Sequence, residues 1–143
     1  MIAVDTNVLL RYLLEDDQKQ LAAARRVFNG EDLVLVTDVV LVETLWTLRG
    51  KKYELKKKDI ETVVLALFEE QCVCFENAHV VWNALQAYRS GKTIGGKHPD
   101  FPDALIVEKA RHIAEQRSEE FHGVATFDKA AQRLTGTFNP DGE

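Results

Sequence analysis

At 143 residues the chain is long enough for one domain that buries most of its unfolded surface, and hydrophobic residues at 45% with charged ones at 29% exclude a disordered or fibrous class. Its apolar runs, such as residues 39–42, fall far short of the roughly 20 residues a membrane span needs, and the start MIAVDTN has no signal-peptide pattern, so a cytoplasmic protein without membrane attachment is expected. A formal net charge of -5 argues against nucleic-acid binding by bulk charge alone, while permitting a local basic patch.

Short apolar runs alternate with longer segments of helical period, the pattern of an α/β domain with a largely parallel sheet. Residues 2–5 read as a strand, followed by a helix over 7–14 and an Ala-rich helix over 18–28 that stops at Asn29 and Gly30. A second strand over 33–37 precedes a helix over 39–49, closed by Gly50, and a helix over 57–69. The third strand, 72–75, contains Cys72 and Cys74; they lie on one face, are poorly placed to bridge, and lack His or Cys neighbours for zinc, so reduced core thiols are expected. A helix over 78–90 leads into SGKTIGGKHPDF, the longest irregular piece and a reasonable mobile segment beside a site. A helix over 102–116, a strand over 124–126, a short helix from near Lys129 and a final strand around Thr137 and Phe138 complete a single domain, 1–143.

Four carboxylates stand where solubility alone would not put them. Asp5 and Asp128 each end an apolar strand and open a helix, the place of an N-cap; at the first junction Thr6 could cap instead and free Asp5. Asp103 points along the stripe of Ile106, Val107, Ala110, Ile113 and Ala114, with Pro102 in the first helical turn, and Asp100 could pair with it in a capping box. Glu43 falls at the margin of the arc made by Val39, Val42, Leu45 and Trp46, which permits exposure or a cleft; Trp46 itself reads as core rather than as a base-stacking platform. In open parallel sheets ligands bind outside the carboxyl ends of the strands, so the four acids are expected to converge at one edge. Crowded carboxylates need a cation, and hard oxygen donors without a His or Cys cluster select Mg²⁺ or Mn²⁺, the chemistry of phosphodiester hydrolysis.

VDTNVLLRYLLEDD, VLVETLWTL, DFPDALI and VATFDKAAQRL, in that order, resemble the PIN domain, and specifically the VapC-type toxins of bacterial toxin-antitoxin pairs. The resemblance implies a three-layer α/β/α sandwich with a mostly parallel central sheet of four to five strands, and Mg²⁺- or Mn²⁺-dependent cleavage of RNA. It implies a catalytic cluster of Asp5, Glu43, Asp103 and Asp128, with Asp5 and Asp103 as principal metal ligands and Glu43 and Asp128 completing the set. Thr6, Asn7 and Thr126 match polar positions that support the site, and Asp100 stays open between cap and support. A homodimer and a small antitoxin partner are also implied. The apolar Leu10, Leu13 and Leu14 fit either a dimer surface or core.

RNA needs positive charge somewhere. Arg11, Lys51, Lys52, Lys92 and Lys97 are the candidates for phosphate contact, with Lys56, Lys57, Lys58 and Lys129 behind them, although a charge run is commonly just a solvated face. His79, His98, His112 and His122 show no ligand spacing and are expected to be surface or structural. Two other readings compete: a noncatalytic PIN-fold binding protein whose acids serve as caps, and an Asp-x-Asp phosphatase, which Asn7 disfavours by standing where a second Asp is required.

Overall fold

A computed structural model describes residues 1–142, which fall into two compact units, 1–76 and 77–142. In the first, β1 (Ile2–Ala3), α1 (Thr6–Leu14), α2 (Gln18–Phe28), β2 (Val34–Val36), α3 (Asp38–Arg49), α4 (Lys57–Glu69) and β3 (Val73–Phe75) follow in order. The three strands form a parallel sheet ordered β1-β2-β3, with Ile2 opposite Val34 and Val34 opposite Val73. Parallel neighbours cannot be joined by a tight turn, so helix pairs make both crossovers. Val34 and Val36 on the central strand are wholly buried, as are Leu9, Leu41, Ile60 and Val64 on the helices.

Tyr12 secures the α1 side of this unit. Its ring stacks on Phe28 of α2 at 3.9 Å, and its hydroxyl donates to Glu70 Oε1 at 2.8 Å. Burial first, and Glu70 next, push its pKa up to about 12.

The second unit contains α5 (Ala78–Ser90), α6 (Phe101–Gln116), β4 (Val124–Ala125), a 3-10 helix (Ala131–Arg133) and β5 (Thr137–Phe138). Helices α5 and α6 pack on one another, and Tyr88 meets Phe101 edge to face at 5.8 Å. The two strands are parallel, with Val124 opposite Thr137.

Helices α2, α4 and α5 begin and end where the hydrophobic period and caps put them, and α1, α3 and α6 start one residue earlier than expected. The single sheet of four to five strands is corrected to a three-stranded and a two-stranded sheet. Each apolar run announces a strand, but its partner depends on backbone pairing that side-chain alternation does not encode. The strands are also shorter than their apolar runs. The Val4 N–H still reaches the Leu35 carbonyl at 3.2 Å, and Thr126 N–H the Phe138 carbonyl at 3.0 Å, but Asp5 and Thr37 have left the ladder to cap helices. Within the irregular loop, Ile94 and Lys97 bond each other around Gly95 and Gly96, whose φ values of 60° and 75° suit glycine at a two-residue hairpin turn.

Two helical faces differ from expectation. On α3 the buried residues are Leu41, Thr44, Leu45 and Leu48, while Val39 and Trp46 are 68% and 75% exposed. The helix is apolar on nearly every side, so its period could not select a face. On α6, Phe101, Ala104, Leu105 and Val107 are buried, whereas Ile106 and Ile113 are exposed. Leu10 is core, with Leu13 and Leu14 half-buried. Both cysteines are free and half-buried, and burial pushes the Cys72 thiol pKa up. No helix among the described residues is long and apolar enough to cross a membrane.

The facing of α3 predicts opposite outcomes for neighbouring residues. Leu45→Ala is expected to cost about 2–5 kcal/mol, and Trp46→Ala to stay within about 0.5 kcal/mol of wild type, in urea denaturation. The raised pKa of Tyr12 stabilises the neutral phenol in the folded chain, so that contribution is intact below its ordinary value of 10.0 and lost as pH rises through about 12. Tyr12→Phe should therefore remove a tyrosinate absorbance step near pH 12 rather than one near 10.0.

Candidate active site

In the first unit, Asp5 lies two residues past β1 with φ -90° and ψ 177° and caps α1: its Oδ1 accepts the Val8 N–H at 2.9 Å. Thr6 does not take the cap, as the sequence had allowed. It is the first residue of α1, and its hydroxyl donates to Glu43 Oε1 at 3.2 Å. Because Thr6 adjoins Asp5, this bond holds the α3 carboxylate beside the same helix start. Glu43 is exposed, and its own turn of helix is tied by Thr47, whose hydroxyl donates to the Glu43 carbonyl at 2.8 Å. Asn7 faces another way, lining a pocket of about 210 Å³ between α1 and α2 with Val8, Arg11 and Gln20.

In the second unit, Asp100 and Asp103 form the capping box that their spacing allowed. The Asp100 N–H donates to Asp103 Oδ2 at 3.2 Å, and the Asp100 side chain accepts from the Asp103 backbone. Pro102 occupies the first turn, where no helical N–H is required. Asp103 also lines a pocket of about 200 Å³ with Val107, Val124, Thr126, Ala131 and Thr137. Thr126 joins that pocket to the other acid, for its hydroxyl oxygen accepts the Asp128 N–H at 3.1 Å. Asp128 Oδ1 in turn accepts the N–H groups of Ala130 and Ala131 at 2.8 and 3.2 Å, starting the 3-10 helix.

Each unit thus presents two acids connected through a threonine. Gln132 is a supporting residue the motifs did not announce: its side-chain amide donates to the Thr126 carbonyl at 2.7 Å and fixes the Thr126 to Asp128 turn. Its position, one helical turn after Asp128, was the signal that could have found it.

A family model for the PIN domain matches residues 2–136. The chain belongs to the PIN domain family. That match spans 135 of the 143 residues and includes all four acids. No match was found among curated proteins. PIN domains are generally nucleases, which supports a hydrolase at that coarse level.

The donor chemistry of this PIN domain suits a hard divalent cation. Asp5, Glu43, Asp103 and Asp128 offer carboxylate oxygen, and Asp5 and Asp128 each commit only Oδ1 to their caps. Among the described residues no group of three or more His, Cys, Asp or Glu is gathered closely enough to hold a metal ion. Mg²⁺ takes one or two carboxylates and completes its shell with water and phosphate oxygen.

The expected basic contacts differ in availability. Arg11 is engaged, with Nη1 on Asp16 Oδ1 at 2.7 Å and Nη2 on the Tyr53 hydroxyl at 3.5 Å. Lys51 and Lys52 are exposed after α3, Lys52 lying 5.2 Å from the Tyr53 ring centre. Lys92 and Lys97 are exposed on the loop before α6, and the Lys97 carbonyl accepts from Arg133 at 2.7 Å. Of the histidines, His112 bonds Asn77, His98 bonds the Pro99 carbonyl, and His79 and His122 are exposed.

Cap and charge can be separated at these positions. Asp5→Asn and Asp103→Asn keep a side-chain oxygen for the backbone and should retain stability, whereas Asp5→Ala and Asp103→Ala should each lose about 1 kcal/mol in urea denaturation.

Proposed function

We propose that this chain is a metal-dependent endoribonuclease of the VapC type, hydrolysing RNA phosphodiester bonds with Asp5, Glu43, Asp103 and Asp128. The observation that carries the proposal is the bond from Thr6 to Glu43, which ties the α3 carboxylate to the residue that follows Asp5 at the start of α1. A cap alone would give Glu43 no reason to be there. Asp5 and Asp103 are the proposed principal ligands for Mg²⁺ or Mn²⁺, and Glu43 and Asp128 the acids proposed to complete the set. When bound, such a cation supplies Lewis-acid stabilisation of the charge that develops on the phosphate.

The chain's own groups then have distinct tasks. Thr6 fixes the direction of the Glu43 carboxylate by donating to one of its oxygens, leaving the other to orient water. The cap on Val8 immobilises Asp5, so its second oxygen is presented without further ordering. Thr126 holds the Asp128 backbone, and the cap that follows fixes that side chain. A small antitoxin and a second copy of the chain are the proposed partners, and the cytoplasm the proposed site of action; the motif order supports them.

The noncatalytic alternative draws on a specific observation, since Asp5, Asp103 and Asp128 do cap helices. Two measurements separate the readings. With Mn²⁺ or Mg²⁺ the wild type should cleave RNA, and Asp5→Asn and Asp103→Asn should lose roughly 100-fold or more, as when charge-stabilising groups are removed elsewhere. Metal at about 100 times its Kd should raise wild-type stability by about 2.7 kcal/mol, with no gain in Asp103→Asn. Undiminished cleavage in both variants, or no metal response in the wild type, would sink the proposal.

A further inference from the structure

We propose that Trp46 is a stacking platform for an unpaired RNA base, placed by α3 one turn beyond Glu43. It deepens the nuclease reading and rests on it. The indole is 75% exposed, although Leu45 beside it is only 1% exposed. Positions 39, 43 and 46 share one side of α3 because residues three and four apart on a helix are neighbours. Val39, 68% exposed, and Trp46 therefore flank Glu43, so an open apolar strip has a carboxylate at its centre.

That carboxylate argues against an apolar protein surface as the occupant. Closing such a surface over Val39 and Trp46 would bury Glu43, which has one hydroxyl donor from Thr6 and no cationic partner among the described residues. Burying a charge without a counter-charge is strongly disfavoured. A nucleobase laid on the indole covers the ring and leaves the carboxylate facing the backbone that it is proposed to help cleave. The chain leaving α3 then supplies positive charge: Lys51 and Lys52 are exposed five and six residues after Trp46. An aromatic face followed by exposed cations is how single strands are held without reading sequence. In duplex RNA the base faces are already stacked, so the platform selects unpaired segments.

The test uses the full chain carrying Trp82→Phe, which leaves Trp46 as its sole tryptophan. Trp46 emission is titrated with a single-stranded oligouridylate and with an RNA duplex of equal length, in EDTA so that neither is cut. Saturable quenching by the single strand, with the duplex much weaker, is expected. In filter binding Trp46→Ala should lower affinity about tenfold or more and Trp46→Phe should recover part of it. In cleavage assays with Mn²⁺, Trp46→Ala should raise KM more than it lowers kcat. Lys51→Gln with Lys52→Gln should flatten the salt dependence of binding. No quenching at saturating RNA overturns the platform, as does a change in Trp46 emission that follows protein concentration instead of RNA, which would make a second copy the occupant. If the wild type cleaves RNA and Trp46→Ala does so with unchanged KM, the platform fails while the nuclease stands. Absent cleavage and absent metal stabilisation in the wild type would instead remove the nuclease, a result the emission titration does not share.

Discussion

The N–H groups at the start of a helix have no partner within it, and satisfying them shapes each point where this chain leaves a strand. After β1 the acceptor is Asp5, after β2 it is Thr37, after β3 it is Asn77, and after β4 it is Asp128. All four side chains accept from a backbone N–H two or three residues on. The local task is therefore the same at each junction, and neutral Thr37 and Asn77 perform it. Capping explains an oxygen at positions 5 and 128, and the unpaired N–H groups of a helix start favour a negatively charged one.

Much of the fold could be seen in the sequence because helices here are bounded by local chemistry. Asp17 before α2, Asn77 before α5 and Gly91 after it act within a few residues of themselves, and those limits fell where expected. Strand partnership is set by residues far apart. The pairing of Val34 with both Ile2 and Val73 could not be read from three similar apolar runs, nor could the separation of β4 and β5 into their own two-stranded sheet. Helix α3 failed for another reason. In DVVLVETLWTLR the apolar residues circle the axis, so more than one stripe satisfied the period, and packing against α1 and α4 chose Leu41, Leu45 and Leu48.

The candidate site was legible in its acids and less so in its connections. Asp5, Glu43, Asp103 and Asp128 announced themselves by standing in or beside apolar segments, a conflict that a sequence alone can reveal. That Thr6 would bond Glu43 could not be derived from spacing, because the two are 37 positions apart and no local rule relates them. Thr126 was nearer to view, since it precedes Asp128 by two residues, within the reach of a turn.

The two threonines are not equivalent in what they leave available. Thr6 spends its only proton on Glu43, so it fixes a carboxylate but offers nothing further to donate. Thr126 accepts the Asp128 N–H and so keeps its own hydroxyl proton, in a pocket that Asp103 also lines. In one unit the hydroxyl positions an acid directly, and in the other it positions the backbone of one acid and retains a donor near the other. Valine at either place would preserve the β-branched shape while removing the polar function, yet the consequences would differ. Loss at 6 would free Glu43 to rotate and leave the Asp5 cap whole, whereas loss at 126 would loosen the turn on which the Asp128 cap is built.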